Sequence, residues 1–373
     1  MSTAAQPAEP KVRVRSRDKA KDFWHRVSEG RKVDDLWNQF AADARAGYGF
    51  YQRDVDWENI KKLPRWRRPL HIARQFFWAM MLKMTAARRV LLLVALVLIF
   101  NERTQFFAVI LFLALLLLEL ADKVTMKRDL EIAREIQSWL VPTHPPVVAG
   151  ADIAFYTRPQ NSVAGDYYDA FFPNGDTGAG GDSKLMVVIA DVVGKSIPAA
   201  LLMATLQASL RTIAGEGAPI ADLVERLNRY ACAHSKNGER FTTAVLAEYE
   251  PQTRRLTYVN AGHNAPILRR AAGTLEKLET GGMPLGIHSA VEYDTASLEL
   301  QPGDALIFYT DGVVEAFNDK HEEFGNERWC NVIRGLPMFN ALESLQFLMK
   351  PVDQFVGATH QSDDITYLIL RCT

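Results

Sequence analysis

At 373 residues the chain is long enough for two or three domains, and a composition of 48% hydrophobic and 23% charged residues excludes a disordered or collagen-like protein. The net charge of −1 conceals an asymmetry: residues 1–89 hold 20 Lys and Arg against 10 Asp and Glu, and the remainder is correspondingly acidic. Cys232, Cys330 and Cys372 show neither CxxC pairing nor ligand spacing, which argues against a disulfide framework or zinc site and predicts a reducing compartment.

In chain order, residues 1–22 lack apolar periodicity and are expected to be a disordered tail, and the polar start MSTAAQPAEP does not read as a signal peptide. Phe23, Val27, Val33, Leu36, Trp37 and Phe40 recur at near-helical intervals, predicting one or two short amphipathic helices. After Pro64 and Pro69, RRPLHIARQFFWAMMLKM reads as a helix with a basic, aromatic flank, suited either to a membrane interface or to a small soluble helical unit. Trp24, Trp37, Trp57 and Trp66 interleave with the basic residues, yet no nucleic-acid motif accompanies them. A basic region beside an apolar segment points to anionic lipid rather than nucleic acid.

Two apolar blocks follow, Val90 to Phe100 and Phe106 to Leu118, separated by NERTQ. Each needs its flanks to cross a hydrocarbon core of about 30 Å, with Arg88 and Arg89 snorkelling. Those arginines before the first block, and Lys123, Lys127 and Arg128 after the second, favour a helical hairpin with both ends in the cytoplasm. A single span and a re-entrant pair are the competing arrangements. Glu119 to Leu140 reads as a continuous helix with an irregular apolar stripe, suited to pairing with its copy in a homodimer, and Pro142, Pro145 and Pro146 end it. The expected organisation is therefore a basic cytoplasmic region (1–76), a membrane segment (77–121), a linker helix (122–147) and a catalytic domain (148–373).

In that last domain DIAFYTRP, KLMVVIADV, FTTAVLAEYEP, RRLTYVNAG, APILRRAAG, ASLELQPGD, DALIFYTDG and DITYLILRC read as strands. IPAALLMATLQASLRTIA, IADLVERLNRYACAH and ALESLQFLMKPVDQFV read as helices. Strands joined by hairpin-like Gly turns, with helices clustered between them, predict an α+β domain built on an antiparallel β-sandwich.

The chemistry lies in aspartates set in Gly-rich or apolar surroundings: Asp166 in AGDYYD, Asp191 in VVIADVVGKS, Asp311 in LIFYTDGVVEA, and Asp363 with Asp364 in QSDDITYLIL. One such aspartate is usually a turn former or helix cap. Several together, with no Lys or Arg at matching spacing, are costly to bury unless they share a cation. Oxygen ligands without His or Cys at ligand spacing suit Mg²⁺ or Mn²⁺.

AGDYYDAF, VVIADVVGKSIPAALLMA, RFTTAVLAEYEP, LTYVNAGHNAPILRR, GGMPLGI, GDALIFYTDGVVEA, EFGNER and SDDITYLIL stand in the order and spacing of the SpoIIE and RsbU-like serine/threonine phosphatases, and the chain resembles this bacterial branch of the type 2C metal-dependent protein phosphatases over residues 128–372. The resemblance implies two central sheets flanked by helices and a two-ion Mn²⁺ or Mg²⁺ centre. By the same resemblance Asp191 bridges both ions, Val192 offers its backbone carbonyl, Asp166 reaches the centre directly or through water, and Asp311 and Asp363 are direct ligands. Asp364 is the less favoured of its pair. Two such ions would activate water for attack on phosphorus.

The implied substrate is a phosphoserine or phosphothreonine on an anti-sigma-factor antagonist in a partner-switching pathway, acted on by a catalytic domain at the cytoplasmic face of the inner membrane. A catalytically silent scaffold that binds a signalling partner through the same fold is the alternative. His263 in AGHN reads as a hydrogen-bonded turn residue before it reads as an acid, and Lys195 as either a phosphate contact or a solvated loop residue. Two departures from the family pattern stand out: Ala164 replaces a common glycine in AGD, and Ser196 replaces one in GKS. Ser196 carries strain if that position needs φ > 0, or caps the following helix if it does not.

Overall fold

The computed structural model describes residues 67–173, 184–235 and 239–373, together with Ile60 and Pro64. The expected N-terminal tail, the helices predicted over 23–46 and most of the basic region lie outside those residues. The chain divides between Asp122 and Lys123 into two compact units.

In the first unit α1 (Arg68–Lys83) and α2 (Ala86–Leu98) precede the start of α3 (Gln105–Leu140). The second apolar block and the linker are thus one helix of 36 residues. Leu92 and Ala95 of α2 and Ala108 and Leu115 of α3 are buried, and Met81 joins Leu92 and Leu115 in one cluster. Asn101 and Thr104 close the turn, Thr104 Oγ1 donating to the Leu98 carbonyl at 2.9 Å. At the other end Arg88 donates to Asp122 at 2.6 Å and Glu119 at 3.2 Å. Val90, Val97, Phe100, Phe106, Ile110 and Leu117 remain exposed.

The second unit is a sandwich of two sheets. Sheet A has the order β1-β11-β10-β6-β7, from Ala151–Arg158, Ile365–Cys372, Ala305–Tyr309, Ile267–Arg269 and Leu275–Lys277. Sheet B has the order β2-β3-β4-β5-β8, from Tyr167–Phe171, Leu185–Val192, Thr242–Glu250, Arg255–Ala261 and Gly281–Gly282, and β9 (Ala296–Glu299) pairs with β5. All pairings are antiparallel except that of β5 with β8. Inner faces meet through Val187, Ile189, Val245, Leu306, Phe308 and Leu368.

Helices α4 (Ile197–Ala214) and α5 (Ile220–His234) cover sheet B, with Met203, Leu210 and Leu223 against Met186, Val188 and Ala190. After the short α6 (Asp311–Val314), α7 (Gly325–Arg334) and α8 (Ala341–Val356) cover sheet A, with Trp329 and Leu348 against Ile307 and Ile369. Cover on both faces explains why LMVVIADV and ITYLILRC run apolar without alternation: each strand buries both sides. Among the described residues α4 is long and apolar enough to cross a membrane by composition, but its buried face packs on sheet B.

Candidate active site

The four carboxylate motifs reach one end of the sandwich by simple strand arithmetic. Asp191 is the penultimate residue of β3, and Asp166 directly precedes β2, its antiparallel partner. Asp311 follows β10 by two residues, while Asp363 and Asp364 directly precede β11, the antiparallel partner of β10. Alternation along β3 puts Val187, Ile189 and hence Asp191 on the inner face, toward sheet A.

Asp166 is buried, and its Oδ2 accepts from Thr366 Oγ1 at 2.6 Å and Thr310 Oγ1 at 2.9 Å. Both threonines belong to the sheet A side, so this carboxylate ties the two sheets together. Asp364 is also buried; its Oδ1 accepts the Gln160 N–H and its Oδ2 the Gly165 N–H, both at 2.6 Å. With both oxygens occupied by backbone, Asp364 shapes the AGD loop, whereas Asp363, more exposed, accepts the Asp364 N–H through Oδ1 at 2.9 Å and faces Lys195 through Oδ2. Gly312 is needed for close approach, since a Cβ there would lie 2.0 Å from the Asp364 carbonyl oxygen. A Cβ at Gly165 would lie 3.1 Å from the Val192 carbonyl oxygen, which brings the first and second motifs into contact.

The electrostatics report mutual crowding. Burial, then repulsion from Asp311, Asp363 and Asp364, pushes Asp191 up to about 7. Burial and then Asp191 hold Asp166 well above the carboxylate range, against the two threonine hydroxyls. Asp311 is raised by burial and by Asp363, and Glu315, exposed in the same DGVVEA motif, by burial and by Asp311. Lys195 opposes these shifts: its Nζ lies 3.0 Å from Asp363 Oδ2 and donates to the Ser362 carbonyl at 2.9 Å and Gln160 Oε1 at 3.2 Å. It is therefore an ion-paired residue at the rim of the cluster, not a freely solvated one.

Among the described residues no three acidic, His or Cys side chains close tightly enough to form a ready coordination shell. The donor set nevertheless fits hard divalent cations: all-oxygen, partly buried, raised by its own charge and offset by one rim lysine.

His263 is a buried turn residue. Its N–H donates to Asn260 Oδ1 at 2.7 Å, its Nδ1 lies 2.8 Å from Thr243 Oγ1, and burial lowers it to about 4. Ser196 does not cap α4; it sits at φ 67°, ψ −147° with no side-chain hydrogen bond to the helix, a region that favours glycine. The expectation of a cap fails, because this backbone is not the extended conformation from which an N-cap side chain reaches the helix N–H groups, and the strain expectation holds. Thr310, Thr366 and Glu315 were not singled out from the sequence; Thr310 adjoins Asp311, Thr366 lies two residues after Asp364 and Glu315 four after Asp311, and that nearness is the signal that could have found them.

Residues 181–373, more than half of the chain, match the family model described as Stage II sporulation protein E (SpoIIE). The chain belongs to the SpoIIE family. It is 29% identical over 191 residues to the phosphoserine phosphatase RsbU of Bacillus subtilis, covering 51% of this chain and 54% of that protein. It is 28% identical over 277 residues to Protein IcfG of Synechocystis, covering 67% of this chain and 42% of that protein. The chain thus spans about half the length of the curated relatives it matches. The SiaA-PP2C domain of Pseudomonas aeruginosa superposes with a TM-score of 0.57 at 19% identity, over 67% of this chain and 98% of that one. That likeness shows the fold: the mixed α+β, antiparallel two-sheet architecture expected of SpoIIE-family phosphatase domains.

Proposed function

We propose that the protein is a Mn²⁺- or Mg²⁺-dependent phosphoserine/phosphothreonine protein phosphatase in bacterial partner-switching signalling, acting on a phosphorylated anti-sigma-factor antagonist. The observation that carries this reading is the convergence of Asp166, Asp191, Asp311 and Asp363 at one end of the sandwich, where burial and the neighbouring carboxylates raise the proton affinity of Asp166, Asp191 and Asp311. Asp166, Asp191, the Val192 carbonyl, Asp311 and Asp363 would hold two ions. When bound, these would neutralise phosphate charge and activate water for in-line attack on phosphorus.

The chain's own residues do the positioning. Thr310 and Thr366 fix Asp166, Asp364 fixes the loop before it, and Lys195 orients Asp363 from the rim. The stretch after Asp191 reads DVVG, and His263, lowered to about 4, is neutral near pH 7. Neither supplies a general acid, so the leaving alkoxide would take its proton from water or from another group at the site.

The same reading places the chain at the bacterial inner membrane through α2 and the start of α3, with the catalytic domain in the cytoplasm. The exposed apolar faces of that helix pair support it. Thirteen residues in α2 rise about 20 Å, so the flanks around Arg88 and Asn101 must contribute to any span. The full-length protein, assayed on a phosphorylated candidate partner with and without Mn²⁺, tests the enzymatic reading. Chelator-resistant hydrolysis, or unchanged turnover in both Asp191→Asn and Asp311→Asn, overturns it.

A further inference from the structure

The end of the sandwich that holds the carboxylates continues past them. Asp166 and Asp191 stand at β2 and β3, and Asp363 and Asp311 at β11 and β10; further along the same end come β5 and β8 of sheet B and β6 and β7 of sheet A. This second half is a polar cleft of about 410 Å³ between the β5–β6 turn, the end of β7, Gly282 of β8 and the first turn of α7.

One side of the cleft is held by its own hydrogen bonds. Asn260 Oδ1 accepts the His263 N–H at 2.7 Å, and Asn260 Nδ2 donates to the His263 carbonyl at 3.0 Å and the Leu278 carbonyl at 3.3 Å, which pins the turn to the end of β7. Gly262 makes the turn at φ 70°, where a Cβ would lie 2.5 Å from Pro284 Cγ. The remaining polar residues differ. Asn264, Lys277, Glu279 and Asn326 also line the cleft, and among the described residues their side chains enter no hydrogen bond or ion pair.

Two links tie the cleft to the carboxylate cluster. His263 Nδ1 lies 2.8 Å from Thr243 Oγ1, and Thr243 stands opposite Asp191 in the β3–β4 ladder. Tyr309 lines the cleft and precedes Asp311 by two residues, which extended chain spans in about 7 Å. A substrate polypeptide also advances about 3.3 Å per residue, so a phosphoserine at the carboxylates sets residues two or three positions away against the cleft.

We infer that this cleft is a specificity subsite that takes a carboxamide side chain, glutamine or asparagine, two or three residues from the phosphorylated residue of the substrate protein. The inference rests on the phosphatase reading of the carboxylate cluster. Asn264 and Asn326 each offer an amide donor and an amide acceptor, the complement of another carboxamide. Lys277 and Glu279, both exposed, bring opposite charges that leave no net field to draw a charged side chain. Asn260 and His263 build the cleft, whereas Asn264 and Asn326 meet what enters it.

The test compares full-length wild type with the double variant Asn264→Ala with Asn326→Ala, and with Thr274→Ala, an exposed position between β6 and β7, as control. Three substrates are used at saturating Mn²⁺: p-nitrophenyl phosphate, which reaches the carboxylates alone; a phosphoserine peptide with glutamine two and three residues to either side; and the same peptide with alanine in those places. Wild type and Thr274→Ala should favour the glutamine peptide by about tenfold in kcat/KM, through KM. The double variant should lose that preference, with kcat and the p-nitrophenyl phosphate kinetics within about twofold of wild type.

A wild type indifferent to the glutamines, or a double variant that keeps the preference, overturns the inference. A parallel loss on p-nitrophenyl phosphate also overturns it, because the asparagines would then act on the cluster and not on the substrate chain. If wild type hydrolyses none of the three, the enzymatic reading fails, and fluorescence anisotropy of the labelled glutamine peptide decides the cleft: binding about tenfold weaker in the double variant supports the subsite, and equal binding or none overturns it.

Discussion

The sharpest consequence of the acidic cluster is a pH dependence with an unusual direction. Asp191 stands at about 7 in the folded chain against an ordinary 3.8, so the folded state holds this proton longer than the unfolded one. Stability from such a group is full below the unfolded value and is lost as pH rises through the folded one. From about pH 6 to about pH 8 the loss from this carboxyl alone comes to about 1.4 kcal/mol, out of a total of about 4 kcal/mol across the whole range. Denaturant unfolding of the chelator-treated protein at those two pH values should show that fall. Asp191→Asn should flatten it, and saturating Mn²⁺ should reverse it in the wild type by favouring the ionised carboxylates. An Asp191→Asn protein with the same pH slope as wild type would refute the idea that charge crowding at this site costs stability.

Three further outcomes are expected. Ser196→Gly removes a side chain from a backbone conformation at φ 67° and should gain about 1 kcal/mol, seen as a rise of about 2–4 °C in the melting temperature; no gain would mean that the strain is compensated. Asp364→Asn sets an amide N–H₂ against one of the two backbone donors and should lower stability by about 2 kcal/mol, while Asp363→Asn, which loses a half-exposed ion pair with Lys195, should cost less than about 1 kcal/mol and weaken Mn²⁺ binding; the reverse pattern in thermal and titration data would exchange their roles. In a background lacking Cys232, Cys330 and Cys372, Glu102→Cys in the helix turn should react with an impermeant thiol reagent in intact cells, and protection there with labelling after lysis would overturn the hairpin topology.

The parts of the fold that were legible in the sequence are those governed by local pattern. Runs such as KLMVVIADV and DITYLILRC announced central strands because both faces of each are buried, and ALESLQFLMKPVDQFV announced a helix that Asn340 and Glu343 cap reciprocally. Strand β2 was hidden inside a motif read for its aspartate. Helix α7 passed unnoticed because its buried side chains, Trp329 and Ile333, mark a single turn among polar neighbours. The gathering of the aspartates was visible as motifs in family order. The division of labour between Asp363 and Asp364 was not, because it depends on which carboxylate meets the Gln160 and Gly165 N–H groups some two hundred residues away. Gln137 carried no signal at all: a glutamine on a charged helix looks solvated until Ala164, whose N–H and C=O it binds, is brought beside it.

The position of β11 in sheet A bears on how the domain is made. Among the described strands β1, near the start of the domain, pairs with β11 alone, Ala151 facing Cys372 and Arg158 facing Ile365, and β10 leans on the other side of the same strand. On a growing chain β1 and β10 must therefore wait, with apolar faces uncovered, until Ile365–Cys372 has been synthesised and has threaded between them. Closing sheet A thus demands contacts some two hundred residues apart in sequence, the kind of long-range pairing that slows folding and leaves apolar faces open to aggregation in the meantime.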